Sequence, residues 1–232
     1  MNNLTIAKPF PSEKYELVKV IKNDPFGIVS IKKHIKKNLH FIVKMIPESN
    51  FKGRESILNE IKIGKKLRHE NFAKTIKNYC TNGNHFLIIE FVEEGILLCN
   101  FLSKNEMFKI RADNFKKVVS QLFNSIIYSL NQNICPVDVH TGNILIDQNY
   151  NVKVIDYGEY KENTNIKDYH YLYLEALIRH HVSDLLAITD IKYENEFFEV
   201  WKKKLWSGST FTKESLTRHY IELVNDPFLQ IT

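Results

Sequence analysis

Residues 136–160, PVDVHTGNILIDQNYNVKVIDYGEY, carry the spacing in this chain that points most directly to chemistry. Asp138 is followed five residues later by Asn143, then by two apolar runs, NILI and VKVID, flanking the polar turn DQNYN and ending at Asp156-Tyr157-Gly158. A carboxylate leaving a buried strand, with glycine close behind, can reach a metal ion without backbone crowding. An aspartate and an asparagine on one preceding loop can supply a base and a second oxygen ligand. Phosphoryl transfer calls for such a set, because its catalysis is mostly positioning and neutralisation of charge by Mg²⁺. Glycine is scarce, eight in 232 residues, and Gly27, Gly142 and Gly158 all fall in the segments that matter here.

These residues resemble the protein-kinase superfamily, and the resemblance spans roughly residues 15–160. The family's catalytic loop reads H-R-D-x-x-x-x-N and its metal motif D-F-G. Here the two read P-V-D-V-H-T-G-N and D-Y-G, with their aspartates 18 positions apart. The resemblance implies that Asp138 accepts or orients the proton of the attacking hydroxyl, and that Asn143 and Asp156 ligate Mg²⁺. FIVKMI is similar to the third-strand V-A-I-K pattern, which makes Lys44 the residue expected on the α- and β-phosphates of ATP. ESILNEIKIGKKLRHENF resembles the family's C helix, with Glu60 as the expected ion-pair partner of Lys44. FLIIEFVEEG resembles the strand that leads into the hinge, so the backbone of Glu90 and Val92 is expected to hydrogen-bond adenine, with Ile89 as gatekeeper. Gly27 and Val29, at the end of the glycine-rich loop, complete the expected nucleotide contacts. A lone strand lysine, helix glutamate or D-x-G is usually structural; the order and spacing of all of them carry the resemblance.

Several positions depart from the pattern. Where the family has G-x-G-x-x-G, this chain reads IKNDPFGIV, with Lys22 and Asp24 in place of the first two glycines. Glycine lets backbone approach phosphates closely, Asp24 brings negative charge, and Pro25 stiffens the turn and lacks an N–H. Weaker nucleotide binding, or a loop set further from the phosphates, is expected. Pro136 and Val137 replace the usual His and Arg, which removes the ordinary anchor for a phosphorylated activation loop. D-x-H-x-G-N also resembles the aminoglycoside and choline phosphotransferases; His140 either contacts the γ-phosphate or packs the loop. After Gly158 only EYKENTNIK precedes the next helical pattern, and no A-P-E follows. Asp168 is read either as a brace for the catalytic loop or as an N-cap.

The elements that must position these groups fit an α+β, bilobal protein-kinase-like fold: a β-rich lobe over about 12–92 and a reduced α-helical lobe over 93–232, with a ligand expected in the cleft between them. YELVKVIK, IVSIKKH and LHFIVKMI read as three strands. A helix follows over 55–68, with Ile57, Leu58, Ile61 and Leu67 on one face, and then two strands, TIKNYC and HFLIIEFV. Phe115, Val118, Val119, Leu122, Phe123, Ile126, Ile127 and Leu130 trace the apolar stripe of a long helix. Further helices are expected over 168–179, about 195–206 with Gly208 as a stop, and about 213–224 opened by Thr212.

The composition, 44% hydrophobic and 25% charged, excludes a disordered chain, a collagen-like repeat and a coiled coil. No apolar run is long enough for a membrane span, and the N-terminus shows no secretory signal. The net charge of +5 is spread over KKHIKK, KIGKK and WKKK, which reads as solvated surface rather than a specific nucleic-acid patch. Three cysteines without a CxxC pair fit a reducing compartment, the cytoplasm, or that of a host cell if the chain is a viral or bacterial effector. His180-His181 lack ligand-spaced partners for zinc, and Trp201 and Trp206 read as core or interface. The expected function is ATP- and Mg²⁺-dependent transfer of phosphate to Ser or Thr of a protein substrate, with a host or activating protein as a further partner. A small-molecule kinase and a catalytically dead binding module are the alternatives.

Overall fold

β-Branched and aromatic residues crowd the first ninety positions, and the chain spends them on one antiparallel sheet. Its strands are β1 (Tyr15–Asp24), β2 (Gly27–His34), β3 (Leu39–Pro47), β4 (Thr75–Thr81) and β5 (Asn84–Glu90), in the order β1-β2-β3-β5-β4. The computed structural model describes residues 8–104, 111–162 and 212–227. Within them the chain divides into two compact units, one of residues 8–68 and 73–91, the other of residues 69–72 and those after 91. The expected helices over 168–179 and 195–206, with Gly208, Asp168, His180, His181, Trp201 and Trp206, lie outside the described residues.

In the first unit, α1 (Phe51–Gly64) follows β3. It begins four residues before the start that its apolar period suggests, because Asn50 caps it: its side chain accepts a hydrogen bond from Gly53 N at 3.0 Å. That cap satisfies one of the orphan amides of the first turn. Ile57, Ile61, Ile63 and Leu67 are buried, whereas Leu58, one position round the helix from Ile57, is exposed. Phe10 stacks on Phe86 and Tyr15 and packs with Val43 and Ile88, closing a small aromatic core.

The second unit is organised around α3 (Ala112–Asn131), where Phe115, Val118, Val119, Leu122, Phe123, Ile126 and Leu130 of the expected stripe are buried and Ile127, also in it, is only half-buried. α2 (Leu98–Lys104), a short helix with no clear period, precedes it, and α4 (Lys213–Val224) packs on it through Phe123 and Tyr220, with ring centroids 5.2 Å apart. Thr212 opens α4 as expected: Ser215 N donates to Thr212 Oγ1 at 3.2 Å while Thr212 N donates to Ser215 Oγ at 3.0 Å. This reciprocal pair is a serine version of the capping box. Five short strands, β6 (Ile96–Leu97), β7 (Ile134–Cys135), β8 (Ile144–Ile146), β9 (Val152–Val154) and β10 (Lys161–Glu162), form two small sheets, β6-β8-β9 and β10-β7.

One buried polar network fixes the β8–β9 hairpin to α3. Asn71 Nδ2 donates to Gln121 Oε1 and to the Val152 carbonyl, both at 3.0 Å. Gln121 Oε1 also accepts from Val152 N at 2.9 Å, and Gln121 Nε2 donates to the Tyr150 carbonyl at 2.8 Å. Asn71 is itself buried, and its carbonyl accepts from Val154 N at 2.7 Å. A buried carbonyl stripped of its partner bears its full desolvation penalty. Asn71→Ala is therefore expected to lower the unfolding free energy by about 2–3 kcal/mol, read from the shift of the urea midpoint at unchanged slope.

Candidate active site

In the first unit, the register of β2 with β3 pairs Val29 with Lys44, and that of β3 with β5 pairs Lys44 with Leu87. Directly paired residues project to one face, so Val29 and Lys44 share a face of the sheet. α1 brings Glu60 to meet Lys44: Nζ donates to Oε1 at 3.0 Å and to Oε2 at 2.8 Å. The ammonium side chain is 15% exposed and the carboxylate side chain 3%. Glu60 lies on the same helix face as Ile57 and Ile61, which is why the packing that buries them buries it too. Ile89 is buried. Glu90 closes β5, its amide donating to the Lys74 carbonyl and its carboxylate accepting from Lys74 N, each at 2.9 Å. In the second unit the Val92 carbonyl accepts from Gly95 N at 3.2 Å.

The β1–β2 connection is a tight turn through Pro25-Phe26. Asp24 Oδ1 accepts from Phe26 N at 2.8 Å and Gly27 N at 3.2 Å, and Asp24 Oδ2 pairs with Lys22 Nζ at 2.8 Å. Gly27 has φ 146°, and a Cβ there would lie 2.4 Å from the Met45 carbonyl oxygen, so only glycine fits.

The second unit holds the other candidates. Asp138 stands after β7 with φ 68°, and Asp156 after β9 with φ 61°. Left-handed backbone is uncommon outside glycine, and Asp and Asn are the side chains that tolerate it best. Asn143 Nδ2 donates to the Asp138 carbonyl at 3.1 Å and to Asp138 Oδ2 at 3.3 Å. With its nitrogen turned to Asp138, Asn143 presents its amide oxygen as the acceptor end. Asn143 immediately precedes β8 and Ile155-Asp156 immediately follows β9; pairing of Ile144 with Val154 makes them neighbours, and Ile155 N donates to the Asn143 carbonyl at 2.9 Å. The hairpin thus sets Asn143 and Asp156 at one end of a short ladder.

His140 closes a turn of the loop. Its Nδ1 accepts from Gly142 N at 3.1 Å, and a Cβ on Gly142 would approach the ring to 2.9 Å. Its Nε2 lies 3.8 Å from Asp138 Oδ2. Val139 is buried between these two exposed side chains and anchors the loop.

Tyr157, in the middle of D-Y-G, is buried and packs edge-on against Phe72 and Tyr160. By composition Tyr160 belongs to a polar connector, yet it is buried, and β10 directly after it pairs with β7. Burial pushes the Tyr160 hydroxyl well above the ordinary phenol range, with the Asp156 and Asp138 carboxylates, and Cys135 once it ionises, adding to the effect. Burial also raises the Cys135 thiol to about 12, which keeps it a neutral thiol at physiological pH. Asn71 and Gln121 are likewise visible only in the structure. The one signal in the sequence is Gln121, a polar residue beside the apolar stripe of α3.

The family described as "Protein kinase domain" matches residues 15–175. The chain belongs to the protein kinase domain family. Among similar proteins, "Calcium-dependent protein kinase 4" of Plasmodium falciparum is 24% identical over 154 residues, which are 63% of this chain and 29% of that protein. "CBL-interacting serine/threonine-protein kinase 5" of Arabidopsis thaliana is 28% identical over 149 residues, 62% of this chain and 33% of the relative. This kinase domain thus spans about a third or less of the length of the curated relatives it matches. Among its described residues no helix is long and apolar enough to cross a membrane.

Proposed function

We propose that this kinase domain transfers the γ-phosphate of ATP to a serine or threonine hydroxyl of a protein, with Mg²⁺ as the metal. The observation that carries the reading is the buried, bidentate Lys44–Glu60 pair. Burying an ion pair seldom adds stability over apolar residues of the same volume, so its presence asks for a functional reason. An ammonium held by a carboxylate is ready to meet the α- and β-phosphates, and the order Lys44, Glu60, Asp138, Asn143, Asp156 supplies the rest of the set. Val29 and Gly27 flank the nucleotide from the sheet, and the backbone of Glu90 and of Val92 serves adenine.

The Asn143 amide oxygen and the Asp156 carboxylate are hard oxygen donors, which suit Mg²⁺ rather than a soft metal. Mg²⁺ commonly rests on one or two protein oxygens together with substrate phosphates, so two such residues suffice. When bound it neutralises charge on the phosphates. In the transfer itself the substrate hydroxyl oxygen forms a bond to the γ-phosphorus, the bond to the bridging oxygen breaks, ADP leaves, and the hydroxyl proton passes to the Asp138 carboxylate. The D-V-H-T-G-N loop favours a second reading, a small-molecule phosphotransferase. An activating or host protein partner and a cytoplasmic setting belong to the proposal.

Intact-mass spectrometry after incubation with Mg²⁺, ATP and a protein mixture tests it. Wild type is expected to gain whole phosphate units, or to label proteins in the mixture, and Asp156→Asn to do neither. Gain in both, or in neither, defeats the proposal; ATP consumption that appears only with a metabolite extract favours the small-molecule reading.

A further inference from the structure

We propose that Asp24 is a built-in anion occupying the amide donors that a nucleotide's phosphates would otherwise take, and that it sets how strongly this domain prefers ATP to adenosine. The inference rests on the nucleotide-binding part of the proposed function. A glycine-rich loop holds phosphates through backbone N–H groups at its tip. Of the three tip residues here, Pro25 has no N–H, and the amides of Phe26 and Gly27 both donate to Asp24 Oδ1 at 2.8 and 3.2 Å. No tip donor is left for a ligand while that carboxylate is in place.

The turn is also tied down from behind. The Phe26 carbonyl accepts from Asn50 Nδ2, at the cap of α1, at 3.3 Å, and Gly27 sits hard against Met45 and Ile46. The ion pair with Lys22, together with the turn amides, holds the Asp24 carboxyl below the usual carboxylate range, so it stays charged throughout physiological pH. Lys22 offsets that charge at 2.8 Å. The β2–β3 register brings the turn to within two residues of Val29, the strand partner of Lys44, so phosphates on Lys44 approach the same end of the sheet.

Two substitutions separate charge from donor occupancy. Asp24→Asn removes the charge but keeps an oxygen for the turn amides. Asp24→Gly removes both and frees the amides. Calorimetric affinities for MgATP and for adenosine, which lacks phosphates, are measured for wild type and both variants. The expected order for MgATP is Asp24→Gly tightest, about 10-fold over wild type, and Asp24→Asn about 3-fold over wild type, the charge-assisted hydrogen bonds being the stronger element. Adenosine affinity should stay constant, which also reports that the site is folded. Lys22→Met, which leaves the anion without its counter-charge, should shift MgATP the other way. Constant MgATP affinity across the series, or equal changes for MgATP and adenosine, overturns the role of Asp24 alone. Absence of adenosine and MgATP binding in wild type and every variant overturns the nucleotide reading beneath it.

Discussion

Asp138→Asn is expected to leave the protein folded and able to bind MgATP while slowing phosphate transfer by about 10²–10⁴-fold, the usual share of a positioned general base. The structure makes asparagine the clean substitution. Position 138 has φ 68°, a conformation that asparagine accepts and alanine resists, so the change adds little backbone strain. The new amide still presents an oxygen to Asn143 Nδ2, which keeps the loop bond that orients the amide oxygen of Asn143. What is lost is the carboxylate proposed to take the proton. The measurement is the initial rate of phosphate incorporation beside the MgATP dissociation constant: rate down, affinity within about 2-fold, is the expected pattern, well under the tenfold that 1.4 kcal/mol represents. A comparable fall in both would reassign Asp138 to nucleotide binding. An unchanged rate would remove it from the chemistry.

The second large effect concerns Lys44 and Glu60. Lys44→Met takes the ammonium from a carboxylate whose side chain is only 3% exposed, and breaking a buried pair from one side costs about 3–5 kcal/mol. Unfolding midpoints should fall accordingly, and phosphate transfer should vanish. The informative protein is the double variant, Lys44→Met with Glu60→Leu. Replacing both charges with apolar groups of similar volume removes the buried carboxylate along with its ammonium, so stability should return close to that of wild type, or exceed it, while transfer stays absent. Recovery of the fold without recovery of function would show that the pair is kept for the nucleotide. A double variant as unstable as Lys44→Met would instead make the pair part of the scaffold.

Much of this arrangement is legible in the amino-acid order, for physical reasons that differ by element. The stripe of α3 announces itself because one-sided burial imposes a period of 3.6 on apolar residues, while the strands of the first unit, β1 exposed along nearly its whole length, show through their β-branched and aromatic runs. The start of α1 does not, since it depends on the Asn50 side chain finding Gly53 N, and its apolar period begins later. Tyr160 and the strand pairing of Lys161 and Glu162 sit in a segment whose polar composition hides a single buried ring. Asn71 and Gln121 meet across 50 residues of sequence, a contact that only tertiary packing creates. Spacing marks Asp24 as a departure; its engagement with the amides that follow it emerges only from the turn geometry.

The left-handed backbone at Asp138 and Asp156 bears on how such a domain changes over generations. A single-base change converts an aspartate codon to an asparagine codon, and these are two positions where asparagine suits the chain nearly as well as aspartate. A duplicated gene could therefore fall silent in catalysis by one step without passing through an unfolded product. If the domain acts as proposed, the silent copy would keep the shape of its active twin.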